Sequence, residues 1–371
     1  MRIALVSYSN AAWTTHFAQH CSGLGHEVRV ISFSPDAVPH ADVVHIDGTP
    51  KWRMPKLLWF LSRLPQLRKA LRDFRPDVVM ATYLSSNGLA AALTWPGPLV
   101  VSAWGGDVLR QAGYLPAPEW LLRPMMRFVC RRADEVHVVS DELAEALAQF
   151  GVARRRISCF PLGVSMEKFS MRHDPGPSGP LRVICTRRQE EVYGNRVLIE
   201  AMARLRDEGI EIHCTVIGGG PLLESFVART RELKLESHLD FVGEIRHGDL
   251  PGFLRAAEVY VSASSSDGTS SSLLEAMACG LFPIVSDITA NRPWVEHGQN
   301  GLLFEVGDAA NLAEAIRVAA TRRASFPEVI ESNRKRVERE GNQAVNDARL
   351  VAMLEGAVRT RQEPPARLPA R

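Results

Sequence analysis

The chain has 371 residues, 46% of them hydrophobic and 23% charged, with a formal net charge of +2. That length suits two domains and the composition an ordinary globular protein, while the near-neutral balance, without a basic block or aromatic-studded RNA motif, argues against a nucleic-acid partner. No apolar run approaches the roughly 20 residues of a membrane span, MRIALVSYSN is too short an apolar run for a signal peptide, and the six scattered cysteines, none in C-x-x-C, read as buried reduced thiols of a cytoplasmic protein.

In chain order, 2–7 reads as a strand, 8–15 as a polar loop, 13–24 as a helix ended by Gly25 and 27–33 as a second strand. This is the opening of a doubly wound sheet. The loop lacks G-x-G-x-x-G, which argues against a dinucleotide site. Tyr8, Asn10 and His16 fall at the strand's C-terminal end, where such sheets bind ligands; each either structures the loop or touches substrate. Residues 51–75 carry an apolar stripe (Leu57, Phe60, Leu61, Leu64, Leu67, Leu71, Phe74) interrupted at Pro65, with eight Lys and Arg against Asp73 alone. Two readings stay open: a basic amphipathic helix with Trp52 and Trp59 on an anionic bilayer, or a helix packed on the sheet with a solvated basic face.

Strands at 77–82 and 99–103 flank a helix expected over 85–93, and the second runs into Trp104–Gly105–Gly106–Asp107. Adjacent glycines after a strand permit tight turning or close approach of a ligand. Asp107 either binds substrate or caps the next turn. A helix over 118–132, a strand over 135–140 and a helix over 141–150 follow, and the segment 157–163 closes the first domain. Residues 171–180, MRHDPGPSGP, are the clearest linker. The pattern restarts with a strand at 181–186, the loop RRQEEVYG (187–194), a helix over 195–207 and a strand over 213–218 entering Gly218–Gly219–Gly220. A short strand at 240–243 and a helix over 249–256 lead to the most informative stretch.

That stretch is 262–300, SASSSDGTSSSLLEAMACGLFPIVSDITANRPWVEHGQN. A buried strand, a loop of small residues and a short apolar helix closed by Gly280 form an anion site, because the loop amides and the positive end of the helix dipole face one point. Asp267 and Glu275 lie at the two ends. Amides that hold phosphate, with carboxylates nearby to accept from hydroxyls, suit a nucleotide joined to a sugar. A capping box, Ser272-x-x-Glu275, is the alternative reading of Glu275. Helices over 309–323, 326–340 and 342–360 complete the chain, with 362–371 as a tail.

The acid, the seven residues after it, Glu275 in EAMACG, and the Asn300–Gly301–Leu302–Leu303 turn resemble the donor-site signature of GT-B glycosyltransferases. The similarity is to the large retaining family, glycosyl transferases group 1 or family 4-like, that includes sucrose-phosphate synthases and many bacterial envelope enzymes. "GHEV" at 25–28, Pro161, Gly163, Val164 and Phe169, and the turn at 218–222 match it as well. The resemblance implies an α/β fold of two Rossmann-like domains facing across a cleft. The first spans 1–170, with acceptor recognition; then come a linker at 171–180, a nucleotide-sugar domain at 181–340, a helix at 341–361 crossing back to the first domain, and the tail.

It also implies roles. Glu275 would accept from the ribose hydroxyls, and Asp267 with the backbone at Gly268, Thr269, Ser270 and Ser271 would hold the sugar and diphosphate. Arg187 and Arg188 would neutralise the leaving diphosphate. Gly218 and Gly219 would allow phosphate or nucleoside approach, with Glu244 and Ile245 near the base. Two positions depart from the family: Trp104 stands where His contacts the transferred sugar, and Tyr193 stands where a Lys contacts the diphosphate. An indole cannot take a proton and a phenol is uncharged at pH 7. Trp104, Gly105, Gly106, Asp107, Asn10 and His16 would line the sugar and acceptor side. The expected reaction is retaining transfer of a hexosyl unit from a UDP- or GDP-sugar to a hydroxyl of a glycan or lipid-linked acceptor, in envelope polysaccharide synthesis. No metal or other cofactor and no nucleic acid is expected, and the protein would be cytoplasmic or peripheral on the inner face of the plasma membrane, through 51–75. Its rivals are a sugar-nucleotide-binding protein without turnover, suggested by Trp104 and Tyr193, and a GT-B nucleotide-sugar epimerase.

Overall fold

The computed structural model describes residues 1–9, 11–33, 38, 41–46, 60–105, 108, 119–171 and 179–362, without the side chains of 12 and 119–122. Asn10, Gly106, Asp107, the first part of the basic segment (51–59), most of the expected linker (172–178) and the tail from 363 lie outside the described residues. The chain divides into two compact units, Met1–Phe160 with Val345–Arg371, and Pro161–Ala344.

The first unit holds a seven-stranded parallel sheet of order β3-β2-β1-β4-β5-β6-β7. Its strands are β1 (Arg2–Val6), β2 (Glu27–Ser32), β3 (Asp42–His45), β4 (Val78–Thr82), β5 (Leu99–Ala103), β6 (Glu135–Val138) and β7 (Ile157–Cys159). VVMAT and LVVSA in β4 and β5 are buried throughout, as strands covered on both faces must be. The short strands β3 and β7 carry too little apolar pattern to stand out in the sequence. The helices are α1 (Ala12–Gly23), α2 (Leu64–Phe74), α3 (Leu89–Thr94), α4 (Glu119–Arg132), α5 (Asp141–Gln149) and, from the end of the chain, α12 (Gln343–Gln362).

Three local expectations meet the structure here. The helix expected over 85–93 is a π-turn, Tyr83–Gly88, followed by α3; Tyr83 enters it with φ of +65°. The stripe does break next to Pro65: helical residues 60–61 give way to a turn at 62–63, and Pro65 sits in the first turn of α2, where its missing N–H costs nothing. And the apolar stripe of α2 is already used. Leu67, Ala70, Leu71 and Phe74 are buried, the helix packs on β2 and α3, and the guanidinium groups of Arg2 and Arg29 cover the Phe74 ring at 4.7 and 4.5 Å. For its described part this is the packed-helix reading, leaving a solvated basic face rather than an apolar one. No described helix is long and apolar enough to cross a membrane.

The second unit holds a six-stranded parallel sheet, order β10-β9-β8-β11-β12-β13: β8 (Leu181–Cys185), β9 (Ile212–Ile217), β10 (Leu239–Gly243), β11 (Val259–Ser262), β12 (Phe282–Ser286) and β13 (Leu302–Phe304). Around it lie α6 (Asn195–Asp207), α7 (Leu223–Glu232), α8 (Leu250–Ala256), α9 (Ser271–Ala278), α10 (Ala309–Thr321) and α11 (Phe326–Glu340). One face packs α6 and α10 with Val183, Cys214, Val261 and Phe304; the other buries Tyr260, Leu273, Leu274 and Met277. The unit's two ends pair, Val164 N–H to Gly341 O and Gln343 N–H to Val164 O. The following helix belongs with the first unit, where Asp347 meets His16 and Arg361 meets Asp134. The cysteines are free thiols; Cys159 is exposed, against expectation, and the other five are buried. Burial pushes Cys21 and Cys279 up to about 12.

Candidate active site

In both sheets the strand order reverses once, between β1 and β4 in the first and between β8 and β11 in the second. At such a point the two following loops diverge and leave a crevice outside the strand ends, the general ligand position of open α/β sheets. The loops after β8 and β11 are 186–194 and 263–270, the two that carry most of the residues singled out from sequence.

Arg187 is the centre of this site. Its guanidinium is buried, with a side chain 9% exposed, and pairs with Asp267 at 2.5 Å. Nη1 donates to Ser270 Oγ and Ser272 Oγ at 3.0 and 2.9 Å. Ser272 is tied in turn to the fully buried Tyr260 hydroxyl at 2.8 Å. Burial opposes the charge on Arg187, yet Asp267 and the phenols of Tyr260 and Tyr193 outweigh it and raise its pKa. The second oxygen of Asp267 accepts from the Gly268 amide at 2.9 Å. Sequence-distant loops are thereby locked by one charge pair, and Arg187 Nε alone has no partner.

Ser270 caps α9, its Oγ accepting from the Leu273 amide at 3.3 Å. This displaces the expected capping box. The cap is two residues earlier than Ser272, so Glu275 lies past the first turn and is not needed there. Glu275 is instead buried, 8% exposed, and its Oε1 lies 2.8 Å from His247 Nε2. The Glu275 carboxylate raises the His247 pKa, against desolvation and Lys168. Sequence reasoning missed His247, which belongs to the 244–249 loop; its ring rests against Phe169 at 5.5 Å. No motif flags it, because its partner is 28 residues away.

The other predicted residues sort clearly. Tyr193 lies face-on to Arg187, guanidinium carbon to ring centroid 4.3 Å, so the phenol that replaces a lysine is a cation–π partner of the buried arginine. Arg188 is not joined to this group: it is 61% exposed and pairs with Glu190 at 2.7 Å. Gly218 packs directly on the arginine loop. Its φ is +134°, and an added Cβ would stand 2.5 Å from the Arg187 carbonyl oxygen. Gly219 accepts from the Gln189 amide and lies beside Glu244. Ile245 is partly buried and packs on the core cluster that includes Leu250 and Trp294. Thr269 is half-buried, and Ser271, the first residue of α9, is exposed. Gly194 turns the loop into α6 with φ of +64° and abuts Ala263 O at 2.1 Å from a built Cβ.

On the first unit, Trp104 and Gly105 follow β5. Trp104 donates its indole N–H to Ser102 Oγ at 2.7 Å. His16 Nε2 is engaged by Asp347, 2.6 Å away and fully buried, so one ring nitrogen is already committed inside the unit.

The sequence profile of the glycosyl transferases group 1 family matches residues 168–337, and that of glycosyltransferase family 4 matches 11–168. The chain is 30% identical over 242 residues to a protein whose name places it in colanic acid biosynthesis, the glycosyltransferase WcaL of Escherichia coli (strain K12). That match takes in 62% of this chain and 59% of WcaL, so the chain spans somewhat over half of that relative. Among solved structures, sucrose-phosphate synthase from Thermosynechococcus elongatus superposes with a TM-score of 0.79 at 21% identity, over 96% of this chain and 100% of that one. HepE of Anabaena, in complex with UDP-glucose, gives 0.79 at 17% identity over 96% and 100%. At those identities the likeness speaks for the fold.

Proposed function

Because the chain belongs to the glycosyl transferases group 1 family and has its GT-B fold, we propose that it moves a hexosyl unit from a nucleotide diphosphate sugar to a hydroxyl of a growing polysaccharide. The carrying observation is the locked assembly of Arg187, Asp267, Ser270 and the start of α9, with Glu275 behind it. The relatives support the direction: WcaL is named for a polysaccharide pathway and HepE was solved with UDP-glucose.

In this reading the diphosphate lies at the N-terminus of α9, whose first amides have no helical partner. Asp267 shapes that loop by holding Arg187, and the guanidinium contributes fixed positive charge beneath it. Arg188, exposed at the mouth of the same loop, swings from Glu190 to the leaving group. Fixed positive charge where negative charge grows is the largest lever such a site has on the barrier. Glu275 accepts from the ribose hydroxyls with the oxygen that His247 leaves open. The bond from the anomeric carbon to the diphosphate oxygen breaks, and the bond to the acceptor oxygen forms on the same face. The acceptor proton passes to the departing diphosphate oxygen, so configuration is retained and no side chain is needed as base.

The test is thermal unfolding against UDP-, GDP-, ADP- and dTDP-sugars, run beside Glu275→Ala. Ligand at 100 times its Kd adds about 2.7 kcal/mol. A rise with one nucleotide, lost in Glu275→Ala, is the expected result; no rise with any of them in the native protein overturns the reading. Release of free sugar from the responding donor separates an enzyme from a binding protein without turnover.

A further inference from the structure

The loop after β8, 187–194, is held from beneath by two buried amides that no step of the reaction above uses. We propose that Gln189, with Asn195 beside it, is the positioning residue of the donor site: it fixes the root of Arg188, so that the exposed guanidinium meets the terminal phosphate of a nucleoside diphosphate. The identity of that anion rests on the transferase reading; the clamp itself stands on hydrogen bonds within the second unit.

Gln189 is fully buried and Asn195 1% exposed. The Gln189 backbone N–H donates to Gly219 O, and its carbonyl accepts from the Leu222 amide, both at 3.0 Å. Its side-chain Nε2 donates to Arg187 O at 2.8 Å, while Oε1 accepts from Asn195 Nδ2 at 3.0 Å. Asn195, the first residue of α6, also donates through Nδ2 to Arg188 O at 3.0 Å. Its Oδ1 accepts from the Cys185 thiol at 3.4 Å. Burial pushes that thiol up to about 11, so it keeps the proton it donates. Neither amide can be turned round. Gln189 Nε2 faces a carbonyl and Asn195 Nδ2 faces two oxygens, and an oxygen in either place would meet only acceptors.

The glycine turn after β9 closes the clamp from the other side. A Cβ at Gly218 would stand 2.5 Å from Arg187 O, and one at Gly220 2.5 Å from Gln189 O. These two glycines therefore admit the backbone of the arginine loop, which lies where a side chain would be.

The result is a loop with a rigid root and one outward arm. Side-chain amides hold the carbonyls of Arg187 and Arg188, and the glycine turn holds both backbone groups of the residue that follows them. From this root Arg187 enters its enclosure with Asp267 and the serines, and Arg188 goes to solvent, 61% exposed. With Tyr193 uncharged and Arg187 enclosed, Arg188 is the cation of the 187–194 loop that faces outward. Its pairing with Glu190, 2.7 Å away, is an exposed one that a phosphate can replace at little cost. A long side chain on a fixed root loses less freedom when it closes on an anion, and charge held near its working position acts most strongly on a leaving group.

The gain in affinity that a second phosphate brings is the test. Binding of UDP and UMP, GDP and GMP, ADP and AMP, and dTDP and dTMP to the full chain is measured by calorimetry, and the pair that binds is carried into the variants. In native protein the diphosphate should bind at least about tenfold more tightly than the monophosphate. That ratio should fall to about threefold or less in Arg188→Met, in Gln189→Met, which keeps the bulk and removes the side-chain hydrogen bonds, and in Asn195→Asp, which removes both donations. In Gln189→Met/Arg188→Met it should fall no further than in Arg188→Met, because the two act through one contact. Thermal unfolding establishes that each variant is folded, and Asn195→Asp carries the test where Gln189→Met is not. A change that merely loosens the unit weakens both nucleotides alike; a native ratio retained in the Gln189 and Asn195 variants overturns the positioning role, as does an additive loss in the double variant. Equal binding of mono- and diphosphate by native protein overturns it as well. Native protein that binds none of the nucleotides overturns the transferase reading itself.

Discussion

Removing Asp267 separates the buried pair at the site from ordinary surface charge. Arg187 is 9% exposed and Asp267 21%, and the guanidinium has no water-facing alternative to its three oxygen partners. In Asp267→Ala the cation stays buried without its counter-charge. Breaking a buried pair from one side costs about 3–5 kcal/mol. The contrast is Arg188→Ala, two strand-end residues apart in role but adjacent in sequence: Arg188 is 61% exposed, and such pairs are worth about 0–1 kcal/mol. For a unit of this size each kcal/mol moves the midpoint by about 2–4 °C. Asp267→Ala should therefore lower the calorimetric transition of the Pro161–Ala344 unit by about 6–20 °C, and Arg188→Ala by no more than about 4 °C.

The double variant Arg187→Met/Asp267→Leu is the sharper arm. Replacing both partners by apolar groups removes the stranded charge, so it should recover much of the stability lost in Asp267→Ala while abolishing the nucleotide-dependent rise. Equal losses in Asp267→Ala and Arg188→Ala would refute the reasoning, since they would mean that Arg187 finds solvent as readily as its neighbour does.

Two further outcomes follow from single contacts. The raised pKa of His247 means that its pairing with Glu275 stabilises the fold fully below the unfolded imidazole pKa of about 6.5 and is lost as pH rises through the higher folded value; the stability gap between native protein and His247→Gln, measured by denaturant melts from pH 5.5 to 8.5, should narrow over that window, and a gap that widens with pH would exclude the charged pair. Gly194→Ala, usually a gain of about 0.4–1 kcal/mol where the backbone permits it, should here destabilise, because φ is +64° and the new Cβ would stand 2.1 Å from the Ala263 carbonyl oxygen; a midpoint unchanged or raised by this substitution would show that the β8 and β11 loops do not meet so closely.

How far the sequence could be read depends on where each site's partners lie along the chain. The second unit's site was legible because Asp267, Ser270 and Glu275 sit on one loop–helix segment whose spacing is set by local geometry, and because Arg187 opens the loop after a strand of plain apolar pattern. What could not be read there is which groups meet. Arg187 and Arg188 are equivalent in sequence, and only the fold of the loop after β8 distinguishes the buried charge from the exposed one. The same holds for Tyr193. Set against a lysine it reads as a missing charge, whereas stacked on Arg187 at 4.3 Å it holds a charge already present, and a second cation in its place would repel the first.

The first unit's ring cluster was illegible for a different reason. Its rings come from three loops separated by some 75 and 21 residues, and no motif joins Tyr8, Tyr83 and Trp104 until the order β2-β1-β4-β5 brings their strands side by side. Nor does His137 advertise itself; alone in a valine-rich strand it reads as a core residue, and it is one, yet through Ser102 it fixes the plane of an indole. Read as a substitution for histidine, Trp104 suggests a chemical group lost. In the structure its indole N–H is turned inward to Ser102, so the group that stands there is tied to the sheet through its one polar atom. At its point of reversal the second sheet brings charge and loop amides together, whereas at the same topological position the first brings rings together.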